Sequence, residues 1–372
     1  MRVDGRDALV FAGSNYLDLA HHPEVVEAAA RAARDVGCAA GGSRLITGNL
    51  ALHETLESEL ADFLGSQSAL LFGTGYMANL RVIPALVGDG DALISDELNH
   101  ASIIDAARLS RARLRVFPHG DLAALEDALR SASGEAGRVL LAVDGIYSMD
   151  GDLAPLASMV ELAKRYGAML LVDDAHGTGT LGAEGRGSAE HAGVSGEIDV
   201  HIGTLGKSLG SFGAFVAGSH KLRELLVNTA RSFIFSCALA PPQIEAARAA
   251  LRVARREPWR LWQLQVNAAR LRRRLAAAGI STEPSATHIV PVVVGESAAT
   301  MALCQALHER GFYAQGIRHP SVPRGTARLR ITAMATHTEQ ELDALADCLI
   351  ELASPILARS CPGAAVGLEA SA

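Results

Sequence analysis

Lys207 lies in GTLGKSLGS, Gly203 to Ser211, where Gly206-Lys207-Ser208 has the ending of a phosphate-binding P-loop. That motif needs G-x-x-x-x-G-K-[ST], because a full ring of backbone N–H groups must wrap the phosphates. Five residues before Gly206 the chain has His201, and Gly203 is too close to complete the ring. The lysine must serve another chemistry, and an amine delivered by a strand end can bond carbon as a nucleophile.

Other chemistry-bearing residues share that placement. Ser148 follows the apolar run RVLLAVDG, Asp173, Asp174 and His176 follow AMLLV, and Thr204 and Lys207 follow IDVHIG. Gly75 opens a helix in LLFGTGYMAN, and His100 lies in LNHASI. Asp173 and His176 could ligate a metal, but no third His or Cys lies at useful local spacing, so no metal is expected. A pyridoxal phosphate site needs another set. Its parts are a Schiff-base lysine, a carboxylate for the pyridine nitrogen, N–H groups at a helix start for the phosphate, and a flat group over the ring. All four are present. Taken singly, Asp173 would serve as a turn cap, His176 and His100 as structural histidines, and Lys207 as a surface residue. Their shared position at strand ends and helix starts is what argues for a site, since ligands of open α/β sheets bind there.

The elements that must position them alternate from about residue 50. SALLF, DALISD, RLRVFP, RVLLAVDG, AMLLVDDA and IDVHIGTLG read as strands, separated by amphipathic helical stretches such as HETLESELADFLG and LAPLASMVELAKRYG. Strand and helix in alternation predict a mostly parallel sheet covered on both faces. After Pro241-Pro242 an Arg/Ala-rich helical region runs to about Ala278, followed by strands at HIVPVVVG, FYAQGI and ARLRIT. The expected division is an N-terminal segment 1–45, a large domain 46–250, a small α+β domain 251–360, and a disordered Gly/Ala/Ser-rich tail 361–372.

Composition narrows the class. The 372 residues are 49% hydrophobic and 20% charged, with a net charge of −7 and no basic block interleaved with aromatics, so no nucleic-acid partner is expected. No run of 18 apolar residues or signal-like opening occurs, which predicts no membrane partner and a cytoplasmic location. Cys38, Cys237, Cys304, Cys348 and Cys361 are scattered without a C-x-x-C pair, and all are expected to be reduced.

From SNYLDLAHHP to GTARLRIT the chain resembles the α-oxoamine synthases, fold-type I pyridoxal phosphate enzymes, through GGSRLITGNLALHETLE, LNHASIIDAARLS, SMDGDLAPL, VDDAHGTGTLG, EGRGS and GTLGKSLGSFGAFVAG. The resemblance implies a decarboxylative condensation of L-alanine with an acyl thioester, a pimeloyl group on coenzyme A or acyl carrier protein. Sister enzymes using glycine, serine or another acyl chain are the alternative, and a non-catalytic partner subunit is a third reading that the presence of Lys207 argues against. It further implies that Lys207 is the Schiff-base lysine, that Asp173 partners the pyridine nitrogen, and that His176 and Ser148 bond the phenolic oxygen. His100 would stack on the ring and bond the substrate. Backbone N–H groups of Gly75 and Tyr76, with the Thr204 hydroxyl, would hold the phosphate, and Ser236 would supply a phosphate contact across a homodimer. Ser14, Arg318, Ser321 and Arg330 would contact substrate. Ser14 stands where the family has asparagine, Asp18 where it has glycine, and segment 1–45 is shortened relative to the family.

Overall fold

The computed structural model describes residues 2–3 and 5–360, with the side chains of 357–360 left aside, so the expected tail 361–372 and Cys361 lie outside the described residues. The chain forms two compact units. One comprises Ser14–Ser148 and Leu153–Trp262; the other comprises, among the described residues, those of 2–13, Met149–Asp152 and 263–360.

The first unit is built on seven strands: β1 (Ser68–Phe72), β2 (Ala92–Asp96), β3 (Arg113–Phe117), β4 (Val139–Asp144), β5 (Met169–Asp173), β6 (Val200–Thr204) and β7 (Ala214–Gly218). Their order across the sheet is β1-β7-β6-β5-β4-β2-β3. β2 to β6 pair in parallel, while β7 runs antiparallel to both β1 and β6. β4 is buried throughout because its side chains alternate between two covered faces. After α1 (Pro23–Asp35) and α2 (Ala51–Leu64) come α3 (Gly75–Leu86) and α4 (Ala101–Ser110), and Leu140 and Ala142 pack with Val82, Ile83 and Leu86 of α3 and Ile103 and Ala106 of α4. Leu141 and Val143 pack instead with Leu125 and Leu129 of α5 (Leu122–Ser133) and Met159 and Val160 of α6 (Leu156–Arg165).

Three features depart from the sequence reading, two of them in this unit. β7, AFVAG, is a seventh strand hidden among glycines; its Phe215 lies opposite Gly203 of β6. The helical region to Ala278 is two helices, Pro241–Arg256 and Trp259–Ala277, because Pro258 lacks an N–H and disfavours helical backbone at Glu257. The first of these continues the first unit, packing on the helix Pro23–Asp35, so the second unit resumes at Gln263 and not at residue 251.

The second unit holds an antiparallel sheet of β8 (Ile289–Gly295), β9 (Gln315–Ile317) and β10 (Ala327–Thr332), with β10 in the middle. Phe11, Val290, Val292, Leu303, Leu329, Ile331 and Leu349 centre its core. FYAQGI divides here: Phe312–Tyr313 pairs with Leu9–Val10, and only Gln315–Ile317 joins the sheet.

The β6–β7 contact fixes the strand that carries the lysine loop. A Cβ at Gly203 would lie 2.2 Å from the Phe215 ring, so Gly203→Ala is expected to destabilise the protein by about 2 kcal/mol in urea unfolding. Adding Phe215→Leu should recover part of that loss.

Candidate active site

The carboxyl ends of β4, β5 and β6 and the starts of α3 and α4 enclose a cleft of about 220 Å³, lined by Gly75, Tyr76, His100, Ser102, Asp144, Ser148, Asp173, His176, Thr204 and Lys207 among others. Eight residues singled out from the sequence therefore meet in one cavity: Gly75, Tyr76, His100, Ser148, Asp173, His176, Thr204 and Lys207.

Lys207 sits in the loop after β6. Its Nζ is 2.8 Å from Nε2 of His176, whose Nδ1 is 2.8 Å from the hydroxyl of the fully buried Tyr16. Ser14 Oγ lies 3.4 Å from the same hydroxyl, so Ser14 backs this chain of contacts. The neighbouring Asp18 has φ 55°, the left-handed backbone that glycine favours and aspartate tolerates. It keeps the turn: Asn15 donates through Nδ2 to Asp18 Oδ1 (2.9 Å) and accepts the N–H groups of Leu19 and Ala20 at Oδ1.

Asp173 ends β5. Its Oδ2 accepts from Nδ2 of the fully buried Asn79 on α3 at 2.6 Å, and its Oδ1 accepts the N–H of Ala175 at 3.1 Å. Asn79 Nδ2 also reaches Ser102 Oγ at 2.9 Å, and Ser102 Oγ is 2.7 Å from His100 Nδ1. The Ser102 N–H donates to that same ring nitrogen at 3.3 Å, which makes Nδ1 an acceptor and leaves the proton on Nε2. Desolvation against the cleft wall lowers the His100 pKa; Asp173 opposes that effect and Lys207 adds to it.

At the start of α3, Thr74 caps the helix by accepting the Met77 N–H at 3.1 Å. The N–H groups of Gly75 and Tyr76 belong to the helix start, which has no intrahelical acceptors and favours an anion. A Cβ at Gly75 would meet nothing within 4 Å, so the cleft approaches this backbone closely. Thr204 Oγ1 donates to the Gly213 carbonyl (3.0 Å) and accepts the Gly206 N–H (3.2 Å), thereby shaping the turn into Lys207.

Ser236, Arg318, Ser321 and Arg330 are not among the residues that line this cleft. Ser236 lines a small separate cavity with Arg44, His53 and Cys237. Arg318, Ser321 and Arg330 belong to the other unit, where Arg330 is buried on β10 and Arg318 and Ser321 are exposed. Sequence reasoning passed over Tyr16, Asn79 and Asp144. Asp144 carried the same signal as Asp173, an acid closing an apolar strand. Tyr16 and Asn79 offered none, since their partners are remote in sequence.

The donor set fits pyridoxal 5′-phosphate: an amine facing an open cleft, a carboxylate held by two N–H donors, an imidazole at the mouth, and a helix start for a phosphate. A family model described as aminotransferase class I and II matches residues 6–349. The 8-amino-7-oxononanoate synthase of Geobacter sulfurreducens is 51% identical over 343 residues, covering 92% of this chain and 88% of that protein. The enzyme of the same name from Geobacter metallireducens is 52% identical over 347 residues, covering 91% and 87%. Among solved structures, a serine palmitoyltransferase from S. paucimobilis with PLP and myriocin bound matches with a TM-score of 0.92 at 34% identity, covering 95% of this chain and 89% of that one. An 8-amino-7-oxononanoate synthase from Francisella tularensis matches with a TM-score of 0.80 at 25% identity, covering 92% and 97%. The fold and cleft are those of a fold-type I pyridoxal-phosphate transferase. The chain belongs to the class I and II aminotransferase family, and within it to the α-oxoamine synthases.

Next to Asp173 in the chain, the buried Asp174 lies near the buried His201, with Thr178 Oγ1 3.1 Å from His201 Nε2 and the Ser188 N–H 3.0 Å from Asp174 Oδ2. Burial raises Asp174 to about 7 and lowers His201 to about 4, so both are neutral between those values. Unfolded, the pair would be Asp⁻ and His⁺ between pH 3.8 and 6.5. Each state then binds one proton, and the pair adds no slope of stability with pH. His201→Gln leaves the raised carboxyl alone, so stability should fall as pH rises from about 4 to 7. Asp174→Asn leaves the depressed imidazole alone, so stability should fall as pH drops from about 6.5 to 4. Urea midpoints across that range check both signs.

Proposed function

We propose that the protein is an 8-amino-7-oxononanoate synthase, which condenses L-alanine with a pimeloyl thioester of coenzyme A or acyl carrier protein. The reaction releases CO2 and the free thiol and yields the amino ketone of biotin synthesis. Relatives of that name, half identical over nine tenths of the chain, support the reading. The observation that carries it is the Lys207 amine, 2.8 Å from His176 in the cleft that Asp173 also lines.

Pyridoxal phosphate, when bound, supplies an electrophilic carbon for amines and a ring that draws electrons from the amino acid's Cα. Lys207 would hold the cofactor through Nζ, and its amine would take the substrate's Cα proton on that nitrogen. Asp173, braced by Asn79, keeps a proton on the ring nitrogen. His176 and Ser148 bond the phenolic oxygen, with Tyr16 fixing the imidazole from behind. His100 covers the ring, and its Nε2–H is a placed donor for negative charge developing on the substrate. The N–H groups of Gly75 and Tyr76, with Thr204, hold the phosphate. Ser14, Arg318, Ser321 and Arg330 contact substrate, Arg330 taking the amino-acid carboxylate.

We place the protein in the cytoplasm as a homodimer, with Ser236 reaching the phosphate of the second copy. Ile46 and Phe235 are 80% and 68% exposed, on segments joined by the Ser43–Cys237 bridge and the Ala238 N–H to Gly42 carbonyl bond. Exposed apolar side chains grouped in this way suit a subunit contact.

The wild type loaded with the cofactor should show a visible absorption band that borohydride removes, and Lys207→Ala should lose both band and turnover. With pimeloyl thioester present, L-alanine should drive thiol release at least about tenfold faster than glycine or L-serine. A preference for serine would favour the sister reading, to which the likeness to serine palmitoyltransferase points.

A further inference from the structure

Asp144 ends β4 directly beside Asp173, its register partner on β5. Its side chain is buried and lines the cleft. Oδ2 accepts the His100 N–H at 3.2 Å, while Oδ1 is buried with no hydrogen-bond partner among the described residues. Asp173, by contrast, has a donor on each oxygen, Asn79 and the Ala175 N–H. Two adjacent buried carboxyls cannot both ionise without large repulsion, and the one better supplied with donors keeps the charge.

The groups that act on Asp144 come from several neighbouring elements. Burial and the charge of Asp173 push its pKa well above the ordinary carboxylate range, with a further upward contribution from Asp96 on β2; Lys207 and the His100 N–H pull the other way. An ionised Asp144 would leave a charged oxygen buried without a donor, which is costly. A neutral acid resolves this, because the lone oxygen then carries a proton and becomes a donor in need of an acceptor.

We propose that Asp144 is a neutral carboxylic acid in the working protein, and that its Oδ1–H is a hydrogen-bond donor into the cleft for an oxygen acceptor of the bound ligand. It thereby splits the labour of two acids in register: Asp173 carries charge, and Asp144 donates without carrying any. The same residue holds the His100 backbone through Oδ2. The proposal rests on the reading of the cleft as a pyridoxal phosphate site.

Infrared difference spectra of protein labelled with carboxyl-¹³C aspartate, wild type minus Asp144→Asn at neutral pH, read the protonation state directly. A neutral-acid carbonyl band should be lost in the variant; loss of a carboxylate band, or no change in the neutral-acid region, overturns the proposal. The second readout is the dissociation constant of added pyridoxal phosphate on cofactor-stripped protein. Asp144→Leu, which removes the donor, should weaken binding at least about tenfold more than Asp144→Asn, whose amide keeps one. Equal weakening by the two variants also overturns the proposal. The infrared measurement reads the folded wild type and Asn variant, so a leucine variant that fails to fold does not shelter the claim. A wild type that takes up no pyridoxal phosphate would sink the reading of the cleft, while the infrared result would still decide the charge of Asp144.

Discussion

The donors that converge on Asp173 are the constraint from which the rest of the site follows. A carboxylate at the buried end of a parallel sheet is expensive to keep charged unless hydrogen bonds replace its lost water. Here one donor comes from the loop that continues β5 and the other from Asn79, a side chain on α3 with no exposed surface. Asn79 can reach Asp173 only if α3 lies flat on the sheet, and Val82, Ile83 and Leu86 ensure that it does. The hydrophobic face of one helix thus sets the electrostatics of the cleft.

Asn79 also ties the two sides of the cleft together. Through Ser102 it extends to Nδ1 of His100, so the carboxylate at the floor and the imidazole at the mouth share one hydrogen-bonded chain. A second chain runs from Lys207 through His176 to Tyr16. Each places a functional group by a partner that itself has no free rotation, which is how a site holds its geometry before a ligand arrives. Gly203 under the Phe215 ring serves the same end at the level of the backbone, because it lets β6 and β7 close at the point where the lysine loop begins.

Much of this was legible in the sequence, and the exceptions have physical reasons. Five strands of the large sheet announced themselves as apolar runs because both faces of the sheet are covered there, and the edge strand β3, whose Leu114 and Val116 are exposed, as a short alternation of arginine and apolar residues. β7 did not, because its five residues sit among glycines that read as loop. Lys207, Asp173 and His176 could be picked out by their place after strands, and the cleft does gather them. Tyr16 and Asn79 could not, since a phenol and an amide in apolar surroundings look like core until their partners, 160 and 94 residues away, are brought beside them. Asp18 shows the reverse case. It departs from a glycine of the family, yet its left-handed backbone, held by Asn15, keeps the turn that glycine would make.

The fate of alanine's carbons tests the central claim most directly. Incubated with a pimeloyl thioester and L-alanine labelled at C1, the protein should release the label as CO2 in step with free thiol, while label at C3 should remain in the product. Thiol release with the C1 label retained in an acylated product would mean that no carbon–carbon bond forms at Cα with loss of the carboxyl, and would contradict the account.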